Sequence, residues 1–410
     1  MGTGPTRIVI VGAGHAGGSV AAQLRQFGWS GSITLIGDER LPPYQRPPLS
    51  KAWLKGEASD ASLLLRGASF YETRAITLRL GEQVVAINRS CSEISLASGE
   101  TIAYDRLILA LGSVPRALDV SARALRGVLA LRSADDAGRL KAMLCAGRKL
   151  VVIGGGYIGL EVAATARSMG ADVVVIEREP RLLSRVASPA LSAFFQHHHT
   201  ERGVRVELGV QVEALEGAGG ALVGVRLTDG RFIPSDIALI GVGVVPADAL
   251  ARAAGLACHD GVVVDEAARS SDPAIYAIGD CAHRPLPRYG RSMRLESVAN
   301  ALEMARQAAA DLTGRDVPPP EVPFFWSDQF DLRLQIAGVR FDPVETAQRG
   351  DPESGGLALF HLGADATMVA VEAVNMPAAF MAGRMMIARR RRIDVALLRD
   401  PDSSLQQLVA

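Results

Sequence analysis

A glycine-rich turn occurs twice in this chain, as Gly12-Ala13-Gly14-His15-Ala16-Gly17 and as Gly154-Gly155-Gly156-Tyr157-Ile158-Gly159. Each follows a short apolar run, residues 7–11 or 149–153, and opens a helical stretch, residues 15–27 or 157–169. A second apolar run, residues 32–36 or 172–176, completes a β-α-β unit of about 30 residues. The glycines let the backbone turn tightly and approach a pyrophosphate, while the helix N-terminus offers free N–H groups and its dipole. Acidic residues follow each turn at the expected distance: Asp38-Glu39 in the first unit and Glu177 in the second. A carboxylate there can accept from a ribose hydroxyl. Two such units, 142 residues apart, imply two nucleotide-binding domains.

The rest of the chain reads as connections and one more domain. Residues 86–96 read as a strand, 98–101 as a turn, and 104–111 as a continuous apolar strand ending at Gly112. A strand over 236–242 leads to Gly243, and a run over 274–278 ends in Gly279-Asp280. A helix over 297–312 precedes the stiff boundary Pro318-Pro319-Pro320. Beyond it, strand-like segments at 332–337 and 367–374 and a final helical part read as a small α+β domain.

Composition narrows the chemistry. Hydrophobic residues make up 48% of the 410 and charged residues 21%, which suits packed cores rather than disorder. With 44 basic and 44 acidic residues, bulk polyanion binding is excluded, so no nucleic-acid partner is expected. The four cysteines, at 91, 145, 258 and 281, have no spacing that suits a zinc site, an iron–sulfur cluster or a redox dithiol. They read as inert thiols of a reducing cytoplasm, and any electron carrier must be borrowed. No apolar stretch reaches the roughly 20 residues of a membrane span. Strand-like sequence from Arg7 leaves no room for a signal peptide, and the first six residues read as a flexible leader despite fitting a myristoylation pattern.

The order of motifs resembles the two-dinucleotide-binding flavoproteins, in the branch of NADH-dependent ferredoxin reductases that serve cytochrome P450s and ring-hydroxylating dioxygenases. The segments carrying the resemblance are Arg46-Pro47-Pro48-Leu49-Ser50-Lys51, the stretch from Gly154 to Glu161, Tyr276-Ala277-Ile278-Gly279-Asp280, Leu295-Glu296-Ser297-Val298 and Trp326-Ser327-Asp328-Gln329. The implied fold is α/β: two Rossmann-like, glutathione-reductase-type domains plus the small C-terminal α+β domain. Residues 1–115 and 244–320 would form the FAD domain, 116–243 the NAD domain and 321–410 the third. FAD would lie on Gly12, Gly14, His15, Ala16 and Gly17, with Asp38, Glu39, Arg46, Val84, Ala110, Gly112, Gly279 and Asp280 around it. Arg132 matches the family's FAD-contacting arginine, and Glu296, Ser297 and Val298 would lie by the ring. NADH would lie on Gly154, Gly156, Tyr157, Ile158 and Gly159, with Glu177 on the ribose and Gly243 beside it. Glu177 would repel the extra phosphate of NADPH, although the neighbouring Arg178 is a residue type that can accommodate one. Lys51 and Glu161 match a pair close to the flavin, where a cation near N5 would favour the anionic reduced form; Trp326 would pack near the ring. Tyr157 could stand beside the nicotinamide or pack the helix start.

Three positions depart from the family pattern: Leu111 where a threonine is usual, Ala247 where asparagine is common, and Ala299 where proline or glutamine is usual. Residues 44–51 lack the cysteines of the disulfide-reducing and peroxidase relatives. His197-His198-His199 reads as a solvated helix face, because consecutive helix positions point about 100° apart and share no ion. No metal is expected. The run Arg389 to Arg392, or a rim of Arg284, Arg288, Arg291 and Arg294, could dock an acidic ferredoxin, and such an exposed face suits a monomer. Reduction of rubredoxin, a quinone or monodehydroascorbate is the alternative, and a signalling flavoprotein like apoptosis-inducing factor a third reading.

Overall fold

The computed structural model describes residues 6–118 and 125–409, so the leader read at the N-terminus lies, save for Thr6, outside the described residues. These form two compact units. The first draws its described residues from Met1–Gln45, Ser59–Val114 and Val244–Glu321, and the second from Arg46–Ala58, Pro115–Gly243 and Val322–Ala410.

The first unit is built on a parallel five-stranded sheet in the order Ile275–Ala277, Arg106–Leu109, Arg7–Val11, Ser32–Gly37 and Ile76–Leu80. Four successive residues of Arg7–Val11 are buried, as a strand covered on both faces requires. The helix His15–Gln26 packs on the helix Val298–Leu312, and both bury small side chains, including Ala21, Ala305 and Ala309, in one core. Ser297 caps the latter by accepting from the Asn300 N–H at 3.1 Å. The continuous strand expected over 86–96 is instead a hairpin of Val84–Asn88 and Glu93–Leu96, with Ser92 in the left-handed region at φ 55°. Asn88 makes the turn by accepting from the N–H groups of Ser90 and Cys91 at 3.2 and 3.3 Å.

The second unit repeats the parallel arrangement in the order Arg205–Leu208, Asp172–Glu177, Lys149–Ile153, Ile237–Ile240 and Val128–Ala130. It also contains an antiparallel five-stranded sheet: Phe324–Gln329, Leu332–Gly338, Met368–Val374, Leu357–Leu362 and Glu345–Arg349. The helix Pro377–Arg389 crosses this sheet so closely that a Cβ at Gly383 would come within 2.6 Å of Val371. The fold class is therefore the expected one, two dinucleotide-type α/β folds and a C-terminal α+β part.

Two side-chain expectations fail. The histidine run is not a solvated face: His197 is exposed, whereas His198 and His199 are buried on the inner side of the helix Pro189–Glu201. That helix also buries Phe194 and Phe195, and its period carries positions 198 and 199 inward with them. Nor do the four arginines after Asp280 form a rim. Arg284 is buried, paired with Glu303 at 2.8 Å and donating to Asn300 and Gln307. The Arg294 side chain is 9% exposed and lies between Asp260 and Glu296.

Candidate functional site: two glycine turns and a buried lysine–glutamate pair

In the first unit the turn at Gly12 is fixed by sterics. Gly12 has φ +109°, and a Cβ on it would lie 2.2 Å from the Ala110 carbonyl oxygen. A Cβ on Gly17 would lie 1.9 Å from the Gly12 carbonyl oxygen. Gly14 is different: nothing approaches within 4 Å, and it caps the helix at His15 with no side chain closing the end. Open space therefore lies over Gly14 at the N-terminus of the helix, where a pyrophosphate would need it. Gly279, at φ +75°, brings the Gly279–Cys281 turn to within 3.1 Å of Ala16, measured from a Cβ built on it. Ser113, two residues after Leu111, donates its hydroxyl to Asp280 at 3.1 Å. Ser113 escaped sequence reasoning because it lies just past the motif. Asp38 is exposed, and Glu39 accepts from the Tyr44 hydroxyl at 2.7 Å. Val84 starts the hairpin, Ala110 is buried, Gly112 has φ 70°, and Glu296 accepts from Arg294 next to the Ser297 cap and Val298.

The second unit repeats the device. Gly154 has φ +110° and a Cβ on it would meet the Gly241 carbonyl oxygen at 2.4 Å; one on Gly159 would meet that of Gly154 at 2.5 Å. Gly156 faces open space and caps the helix Tyr157–Ser168 without a side-chain bond. Glu177 is held by backbone: its carboxylate accepts from the N–H of Gly155 at 2.7 Å and of Glu179 at 3.0 Å. Arg178 turns aside to Glu179, while Arg185 lies against Gly243. Ile158 is exposed. The Tyr157 ring packs against Phe325, centroids 4.4 Å apart and planes tilted by 35°, its hydroxyl lacks a hydrogen-bond partner among the described residues, and burial next to Glu372 pushes the phenol up. Both turns fit a dinucleotide: only glycine is sterically admitted at the inner positions, and only open space lies over the outer one.

Also in the second unit, Arg46 donates to the Arg132 carbonyl, and Arg132 donates its N–H to Asp136 at 3.1 Å. The segment after Arg46 folds into a 3-10 turn, Pro47–Ser50, which aims Lys51 and Ser50 at one carboxylate. Lys51 Nζ is 2.6 Å from Glu161 Oε2, and the Ser50 hydroxyl donates to the same oxygen at 2.5 Å. The Ser327 hydroxyl donates to Glu161 Oε1 at 2.7 Å. Glu161 is 5% exposed, so this is no surface salt bridge but a buried carboxylate with three donors. Ser50 and Ser327 belong to the family-like segments, which assign them no role, and Thr165, which donates to the Ser50 carbonyl at 2.8 Å, lies outside those segments. Trp326 is half-buried, 6.3 Å from Phe324.

Comparison with known proteins gives the family of the chain. The family model for pyridine nucleotide-disulphide oxidoreductases matches residues 6–305, and the model for the reductase C-terminal domain matches residues 324–409. The chain belongs to this family. It is an oxidoreductase, and its relatives fall among the ferredoxin reductases. A probable ferredoxin reductase of Castellaniella defragrans is 48% identical over 96% of this chain and 97% of its own. The putidaredoxin reductase of Pseudomonas putida is 40% identical over 98% and 96%. The crystal structure of a covalent putidaredoxin reductase–putidaredoxin complex matches with a TM-score of 0.96, at 40% identity, over 98% of both chains. No helix among the described residues is long and apolar enough to cross a membrane.

Burial sets the remaining ionisation. The Cys281 thiol is pushed up to about 11, which removes it as a nucleophile. His199 is fully buried and pushed down to about 4. Its ordinary value is 6.5, so the unfolded chain binds this proton first as pH falls. Stability is therefore expected to fall between pH 6.5 and pH 4, with His199 contributing a loss of about 3 kcal/mol. Urea unfolding of the wild type and of His199→Asn across that window should show a steeper fall in the wild type. Parallel curves would count against it.

Proposed function

We propose that the chain is an NADH-dependent, FAD-containing reductase of a [2Fe–2S] ferredoxin that serves a cytochrome P450 or a ring-hydroxylating dioxygenase in the cytoplasm. The observation that carries this reading is a likeness extending over 98% of the chain to a putidaredoxin reductase joined to putidaredoxin. FAD, when bound, accepts a hydride and releases its electrons singly, chemistry that no side chain supplies. The residues of this chain bind and orient. Gly12, Gly14 and Gly17 would hold the pyrophosphate of FAD, and Gly154, Gly156 and Gly159 that of NADH. Lys51 is the cation proposed to stand by the flavin, oriented by Glu161. The three-part division into FAD, NAD and C-terminal domains belongs to the same reading.

The test is to purify the chain, record its flavin spectrum, and compare acceptors with NADH present. Reduction of a [2Fe–2S] ferredoxin is expected; turnover of quinone or rubredoxin with no ferredoxin reduced would overturn the choice of acceptor.

Coenzyme choice follows from Glu177, whose carboxylate is pre-oriented by two backbone N–H groups. Glu177→Ala is expected to lower the ratio of kcat/KM for NADH over NADPH by roughly tenfold or more, the worth of one hydrogen bond to a charged group. Steady-state kinetics with both coenzymes checks it. For the acceptor, the exposed run Arg389 to Arg392 closes the helix Pro377–Arg389 beside exposed Met381 and Met385. Arg389→Glu with Arg392→Glu should slow ferredoxin reduction about tenfold at low salt and leave NADH–ferricyanide turnover intact.

A further inference from the structure

Glu161 is reached from behind by a line of buried polar groups that no motif explains. His199 Nε2 lies 2.8 Å from Gln329 Oε1, Gln329 Nε2 donates to the Ser327 hydroxyl at 3.1 Å, and Ser327 donates to Glu161 Oε1 at 2.7 Å. All four residues are at most 5% exposed, and all lie in the second unit. Ser327 and Gln329 share a face because they are two apart on the strand Phe324–Gln329.

The line has a direction. Gln329 spends its NH2 on Ser327, so its oxygen must accept from His199, which places the imidazole proton on Nε2. Every donor then points toward the carboxylate: His199 to Gln329, Gln329 to Ser327, Ser327 to Glu161. Aligned hydrogen bonds polarise one another, so the last one is strengthened by those behind it. On the other carboxylate oxygen sit Ser50 and Lys51. Glu161 is therefore gripped on one oxygen from the core and offers the other to Lys51. Packing alone does not account for this arrangement. The line leaves His199 Nδ1 buried without a partner among the described residues, a cost that an apolar core would avoid.

We infer that Ser327 and Gln329, anchored by His199, are positioning residues that fix Glu161 and through it the Lys51 ammonium. The Trp326-Ser327-Asp328-Gln329 segment thus serves the Lys51–Glu161 pair through its inward serine and glutamine. The kinetic part of the inference rests on the proposed reductase activity; the placement of Lys51 does not.

The test exploits the lysine count. The chain has four lysines, at 51, 55, 141 and 149, so [ε-13C]lysine-labelled holoenzyme gives four resolvable ε-methylene signals, with Lys51→Arg assigning one. In the wild type a held Lys51 should show two inequivalent ε protons, unlike exposed Lys55 and Lys149. In Ser327→Ala, and to a smaller degree in Gln329→Leu, that signal should collapse toward those of the exposed lysines. The rate of flavin reduction by NADH should fall about tenfold and threefold respectively, with KM for NADH unchanged. An unaltered Lys51 signal in the folded variants, as judged by near-ultraviolet circular dichroism, would overturn the inference. Should Ser327→Ala not fold, Gln329→Leu alone decides. Because the signal is read without turnover, a chain inactive with NADH would refute the proposed reaction and leave this result standing.

Discussion

Gly12→Ala should give a colourless protein that retains no flavin and turns over no NADH. The added Cβ would lie 2.2 Å from the Ala110 oxygen and 2.6 Å from its carbon, which are backbone atoms with nowhere to move. Ala110 donates its N–H to the Val11 carbonyl, and Gly12 donates its own to the Ile36 carbonyl, both at 2.8 Å. Both sides of the clash are thus tied into one sheet. Alanine at φ +109° adds strain of its own. Together these effects should cost roughly 3–5 kcal/mol, read as a fall in the urea midpoint. Gly14→Ala makes the informative contrast. Nothing lies within 4 Å of that position, so the unfolding midpoint of the apoprotein should stay within about 0.5 kcal/mol of the wild type. If the open space is where the pyrophosphate sits, flavin affinity should nonetheless drop about tenfold or more. Equal flavin retention in Gly14→Ala and wild type would remove the turn from the binding site.

Much of this architecture is legible in the sequence for a reason the Gly12 contacts make plain. A glycine demanded by backbone atoms has no substitute, so it marks its own turn, and the apolar runs on either side mark strands buried on both faces. The helix over 297–312 is readable too, and the structure starts it one residue later, behind Ser297 as its cap. What escaped reading depends on partners distant in sequence. The break in the strand over 86–96 carries no glycine or proline; its only local signal is Asn88, which closes the turn with its side chain. The 100° spacing of His197, His198 and His199 argues against a shared ion but does not say which of them face water; helical period and the neighbouring Phe194 and Phe195 turn His198 and His199 inward. Arg284 looks like surface charge until Glu303 and Gln307, on the helix Val298–Leu312, are brought against its strand. The same holds at the site. Both motifs around Lys51 and Trp326 are visible as strings, yet only the fold makes Ser50 and Ser327 converge on Glu161.

Lys51→Met should separate what this pair does for stability from what it does for the reaction. Removing the cation leaves Glu161 buried at 5% exposure with two hydroxyl donors and no counter-charge. Breaking a buried pair from one side costs roughly 3–5 kcal/mol, and the two remaining serines argue for the lower end, about 3 kcal/mol. The Lys51 side chain is 18% exposed, enough contact with water to favour that end as well. Adding Glu161→Gln to Lys51→Met should restore most of the stability, because a neutral amide strands no charge: its oxygen can accept from Ser327, and its NH2 can donate to Ser50, whose hydroxyl also reaches the Pro47 carbonyl. Flavin reduction by NADH should behave otherwise. A fixed cation at the point where negative charge accumulates is worth about 10²-fold in rate, and the double variant lacks it as completely as the single one. Urea unfolding and rapid-mixing flavin absorbance, measured on the wild type and both variants, give the two readouts. Recovery of stability without recovery of rate assigns Lys51 to the chemistry. Recovery of both in the double variant would make the pair structural, and Lys51 would lose its proposed place beside the flavin.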